Sequence, residues 1–175
     1  MSEITQERNR TAGRSGGVVL GATLLALVLV TGLNVTFAAA VMPNLAGVDD
    51  RTFVATMQRY NENPVFPASY TVALVLAILA PIVLRRGGNR AAARWAVVTL
   101  VLYAAVVAVT AAVNLPLNEE IDRTGLGDAA ALADVRDRME TAWVTANVAR
   151  SLLSVAAIGA VTRALVLRGT PAPTR

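Results

Sequence analysis

The sequence predicts an all-α integral membrane protein: four transmembrane helices in an up-down antiparallel bundle, with short interfacial helices in the two outer loops. Two observations carry this. Of the 175 residues, 55% are hydrophobic and the mean hydropathy is +0.53. The apolar residues also fall into four separate runs of about twenty, the length an α-helix needs to cross a bilayer. Short connections between such runs favour neighbours that alternate in direction.

The rest of the composition narrows the chemistry. There is no cysteine and no histidine. Disulfides, thiolate ligands and a cysteine nucleophile are therefore excluded, as are the commonest metal ligand and the commonest general base. No metal site is expected. All 16 basic residues are arginine, and the formal net charge is +4. These positives are divided among the loops instead of forming one patch, so they report topology and no nucleic-acid partner is expected.

Residues 1–15 read as a polar tail, with Arg8, Arg10 and Arg14 ahead of the first apolar run. That pattern resembles a signal peptide, but the run is longer than an h-region and spans a bilayer if retained. The first span is placed at about 17–42, within a membrane domain of 16–167. It carries Thr31 and Asn34 one turn apart, and Pro43 is expected to end it. Asp49 and Asp50 then cap a short amphipathic helix with Phe53, Met57 and Tyr60 on one face. It should lie on the membrane surface or fold over the bundle.

Asn63-Pro64 and Phe66-Pro67 launch the second span, about 65–84, which carries no charge. A connection holding Arg85, Arg86, Gly87, Gly88, Arg90 and Arg94 leads to the third, about 95–115. Along it Thr99, Tyr103, Thr110 and Asn114 form a polar stripe. Pro116 should free backbone carbonyls and bring Asn114 and Asn118 to the rim. An acidic loop follows, with an amphipathic helix from Asp128 that shows Leu132, Val135 and Met139 on one face. The fourth span, about 143–167, precedes a short polar tail, 168–175.

The first tail, the 85–94 connection and the last tail, counted with Arg163, hold ten arginines and two acids, and the other loops five arginines and ten acids. The arginine-rich side should face the cytoplasm, with both termini there. Asn34, Asn61 to Phe66, Asn114 to Asn118 and Trp143 to Arg150 then all fall in the outer half of the bundle. A shared polar pocket explains that clustering better than independent packing bonds, which would scatter through the depth. Arg150 is the sharpest signal. Trp143, Asn147 and Arg150 form one helical stripe, extended by Ser154, and a charge inside a span marks a functional site unless a partner neutralises it.

These pieces in this order resemble the anthrone oxygenase-like family of small four-span membrane proteins, many of them a domain of unknown function. The matching residues are Val41-Met42-Pro43, then Phe53, Met57, Gln58 and Asn61, then Asn63-Pro64 and Phe66. They continue with Asn114-Leu115-Pro116-Leu117-Asn118 and end with Trp143, Asn147 and Arg150. The chain departs from the pattern at Val148, where a histidine often follows the fourth-span asparagine. The resemblance implies oxidation of an anthrone to an anthraquinone by dioxygen, as a monooxygenase needing no cofactor.

For that chemistry Arg150 would hold an enolate oxygen, with Asn147 and Asn114 as further donors. Glu119 or Glu120 would be the base, although either also reads as a loop charge or as the counter-ion of Arg150. Trp143 would stack on a planar substrate, with Asn34, Asn118, Phe66 and Tyr103 lining the site. The partner expected is an apolar small molecule or lipid, and the expected location is a bacterial plasma membrane. A second reading makes the protein a non-catalytic binding or structural subunit. Transport is disfavoured by the small bundle and its single clearly intramembrane charge.

Overall fold

A computed structural model of the chain describes residues 3–169, with side chains described from Arg14 to Arg168. The expected tail beyond Gly169 lies outside the described residues. The helices are α1 (Glu3–Thr36), α2 (Met42–Leu45), α3 (Asp50–Asn61), α4 (Val65–Arg86), α5 (Arg90–Val109), α6 (Leu115–Arg123) and α7 (Ala129–Gly169). Two single π-turns, Phe37–Val41 and Thr110–Asn114, join α1 to α2 and α5 to α6 without a break. Four continuous helical runs result, Arg14–Leu45, Val65–Arg86, Arg90–Arg123 and Ala129–Arg168, each long and apolar enough to cross a membrane.

The π-turns correct the expectation that Pro43 ends the first span. Pro43 and Pro116 each sit two residues after the end of a π-turn, and the chain stays helical through both. In a regular α-helix a proline ring strikes the carbonyl four residues back. Widening the preceding turn, with Met42 N–H donating to Phe37 O and Leu115 N–H to Thr110 O, makes room for it. The polar segment expected at residues 3–15 is likewise helical and continues into the first span.

The acidic-loop helix and the fourth span are one 41-residue helix. No proline interrupts it, and Leu132, Val135, Met139, Trp143 and Asn147 follow each other at three- and four-residue steps on one buried face. Asp128 caps its start by accepting from the N–H groups of Ala130 and Ala131. α3 is capped in the same way by Asp49, whose carboxylate accepts from Thr52 N–H and from the Thr52 hydroxyl. Those bonds hold the Asp49 carboxyl below the usual carboxylate range.

The four spans pack in a ring: α1 against α4 and α7, and α5 against α4 and α7. Small residues make this close. Ser69, Ala73, Ala77 and Ala80 line the buried stripe of α4, and Ala157, Ala160 and Ala164 that of α7. Leu20, Leu27 and Val30 of α1 fill against them. Outward, Leu25, Val72, Val101, Leu152 and Val155 are more than half exposed, as a lipid-facing belt requires. Gly88, at φ 78°, supplies the tight link between α4 and α5.

A second apolar core caps the opposite end. There α3 folds over the bundle, burying Phe53, Val54 and Met57 against Ile121, Leu132, Val135 and Met139. Arg136 staples this cap. Its guanidinium donates to the carbonyls of Leu45, Ala46 and Val48 and to Asp50 and Glu140, and it lies 4.7 Å over the Phe53 ring. Gln58 and Asn61 of α3 then tie down α6 by donating to the carbonyls of Ile121, Thr124 and Asn118.

Candidate functional site

Between the two apolar cores lies a layer of buried polar side chains: Asn34, Asn114, Asn147 and Arg150, each at most 6% exposed. They border a cavity of about 420 Å³. That volume falls within the range of small-molecule sites.

Local helix geometry explains the convergence. Asn147 and Arg150 stand one turn apart on the buried face of α7. Asn34 ends the same face of α1 that carries Leu27 and Val30, and Asn114 closes the second π-turn. Arg150 donates to Asn147 Oδ1 at 2.9 Å and to the Thr110 hydroxyl at 3.3 Å. Asn147 Nδ2 donates to the Asn34 carbonyl at 2.9 Å, which links α7 to α1. Tyr70 donates its phenol to Asn34 Oδ1 at 2.7 Å. Trp143 donates its indole N–H to Asn118 Oδ1 at 2.8 Å, while Asn114 Nδ2 reaches the Trp143 carbonyl at 3.4 Å.

Aromatic rings surround the charge. The Arg150 Cζ lies 5.6 Å from the Trp143 ring centroid and 5.9 Å from that of Tyr70. Phe37 packs on Tyr60, Phe66 and Trp143 with centroids 4.8, 5.5 and 5.4 Å away. An arginine over ring faces is held by cation–π attraction.

The expected counter-ion is not there. Among the described residues no carboxylate lies within 4.0 Å of the Arg150 guanidinium. Glu119 pairs instead with Arg123 at 2.9 Å, and Glu120 with Arg138, which also holds Asp134. Both acids project from α6 toward partners on the polar surface, one turn along their own helix or across on α7. Arg150 Nε, Asn114 Oδ1 and Asn34 Nδ2 are buried with no hydrogen-bond partner among the described residues. Orphaned polar groups of this kind are costly and cluster where function needs them.

The structure brings Asn34, Phe66, Asn114, Asn118, Glu119, Trp143, Asn147 and Arg150 to the wall of one cavity. Tyr103 is not on that wall: it is fully buried and donates its hydroxyl to the Tyr70 carbonyl at 3.2 Å. Its place in the span's polar stripe put it one turn below the site. Asn147 has its Oδ1 taken by Arg150 and one amide N–H by the Asn34 carbonyl, which leaves its second N–H as the donor that the expected role needs. Thr99 bonds the Trp95 carbonyl of its own helix and plays no part.

Phe37, Tyr60, Tyr70, Thr110 and Asp122 also line the cavity; of these only Tyr60 and Thr110 stood out in the sequence, as part of an amphipathic face and a polar stripe, and none was assigned to the site. Spacing could have found several of them. Phe37 follows Asn34 by three residues, Tyr70 follows Phe66 by four and Thr110 precedes Asn114 by four.

The anthrone oxygenase family model matches residues 53–160, most of the chain and nearly all of this site. The chain belongs to the anthrone oxygenase family. No curated protein and no solved structure matches it. Val148, where the sequence resemblance led to the expectation of a histidine, is 43% exposed on the outside of the bundle. Position 148 points away from the cavity that its neighbour Asn147 borders.

Proposed function

We propose that the cavity binds a planar, apolar aromatic molecule as its oxyanion and oxidises it with dioxygen, the reaction for which the anthrone oxygenase family is named. One observation carries this reading: a buried arginine, walled by aromatic rings, with no carboxylate on it among the described residues. An arginine keeps its charge in proteins. Its desolvation is costly until an anionic oxygen arrives to share it, so the site favours the enolate over the neutral ketone.

The chemistry balances with dioxygen as the oxidant. An anthrone loses a proton from its central methylene to give the enolate. The electron-rich ring carbon then passes electrons to dioxygen and bonds to it as a peroxide. Loss of the second methylene hydrogen with cleavage of the O–O bond leaves the new carbonyl, and the other oxygen atom departs as water.

In this scheme Arg150 holds the oxyanion, and Trp143, Phe37 and Phe66 hold the ring plane. Asn147 is a positioning residue that fixes the guanidinium. Two carboxylates, Glu119 and Asp122, stand at the cavity rim. Arg123 occupies Glu119, whereas Asp122 accepts from the neutral amide of Asn61 at 2.8 Å. We assign proton removal to the rim acids, with Asp122 the stronger candidate because no arginine competes for it among the described residues. The rim position of both acids favours a second reading, in which a hydrophobic molecule or lipid is held there without turnover.

The two readings separate in one assay. Purified protein in nanodiscs, given a hydroxyanthrone under air, should form the anthraquinone faster than protein-free nanodiscs and should consume one dioxygen per product. Saturable binding without any acceleration would leave only the binding role.

A further inference from the structure

We propose that the ligand reaches this cavity sideways from the apolar belt, through a slot between α4 and the third span, with Thr71 and Ala111 as its two sides. This rests on the reading of the cavity as a binding site for an apolar aromatic molecule.

The slot follows from unequal helix lengths. α4 and α5 pack closely from the Gly88 link as far as Tyr103, whose hydroxyl donates to the Tyr70 carbonyl. Beyond that bond the third span continues through its π-turn to Arg123, whereas α4 begins only at Val65. Near its start α4 contributes Pro67 and Thr71 to the cavity wall, and the third span contributes Ala111 and Leu115. All four residues line the cavity and all four are exposed. Two of the four, Thr71 and Ala111, are small.

The surface around the slot is apolar. Val65, Val72 and Leu115 are 48%, 53% and 50% exposed beside it. Asn61, Glu119 and Asp122 stand further along, at the cavity's polar rim. An apolar ring system therefore meets the slot without crossing water, while the rim remains open for proton exchange.

The chain's two tryptophans make this testable. Trp95 lies away from the cavity on α5, so Trp95→Phe leaves Trp143 as a reporter on the cavity wall. The protein is placed in liposomes, and Trp143 quenching by a dihydroxyanthraquinone dissolved in the bilayer is followed in time. Narrowing the slot with Thr71→Leu or Ala111→Leu should slow association and release together, by about tenfold, because a gate raises the barrier between two states that it leaves alike. Damage to the site itself would speed release. Unchanged rates in both variants, or faster release, would overturn the lateral route. Absence of quenching in the Trp95→Phe protein would overturn the binding reading, and the route with it.

Discussion

Asn147 accepts from Arg150 at 2.9 Å while donating to the Asn34 carbonyl at 2.9 Å, so a single amide both aims the guanidinium and ties α7 to α1. A glutamine-like amide can do this because it offers a donor and an acceptor on one planar group. Position and charge are thereby separable. Asn147→Asp places a carboxylate on Arg150 at the same distance and removes the donor to α1. Ligand binding should fall sharply, because the charge is already neutralised, while the bundle stays folded. Tight binding by Asn147→Asp in a titration would show that the ligand does not use the charge.

Truncation of the same residue should behave differently. Asn147→Ala leaves the Asn34 carbonyl and an Arg150 N–H unpartnered in a buried layer, at a cost of about 1–3 kcal/mol. Melting in detergent should shift down, and ligand binding should weaken through misplacement of Arg150. A melting curve identical to the parent protein's would mean that the pair contributes nothing to packing.

Arg136 supports the cap that closes the cavity. Its guanidinium holds three carbonyls of the chain between α2 and α3, with Asp50 and Glu140 as further acceptors. Charge-assisted bonds of this kind contribute about 1.5–3 kcal/mol when buried. Arg136→Ala should loosen the cap before the spans, seen as faster amide exchange over residues 45–61 at nearly unchanged exchange in α5. Uniform exchange across the whole chain would contradict a separate cap.

The direction of the bundle in the membrane is a proposal from arginine placement. Reporter fusions after residues 55 and 128 should read as outside, and fusions near 88 and 172 as inside. A cytoplasmic reading at residue 128 would put the cavity on the inner side.

Much of this fold was legible because bilayer length and helical period leave few alternatives. The face running from Leu132 through Trp143 to Arg150 can be read directly from three- and four-residue spacing. Two features could not be read that way. Whether a proline ends a helix or follows a widened turn depends on room for its ring, and at Pro43 and Pro116 that room comes from the π-turn before it, which residue spacing does not announce. Which acid meets Arg150 depends on how α6 is rotated, and the rotation sends Glu119 to Arg123 and Glu120 to Arg138. The candidate site was legible as a cluster of polar residues. Its aromatic wall was legible in part: Trp143 and Phe66 were expected there, whereas Phe37, Tyr60 and Tyr70 carry no polar mark and are drawn in only where three helices meet.

The most direct test is Arg150→Gln, followed by two readouts on one preparation. The substitution keeps much of the side chain's length and removes a desolvated charge that no carboxylate neutralises among the described residues, so melting in detergent should be unchanged or raised. Turnover of a hydroxyanthrone should fall by about 10²–10³-fold, the usual consequence of removing one oxyanion donor. A melting point lowered by several degrees with turnover intact would contradict the role given to Arg150 and make it a structural residue.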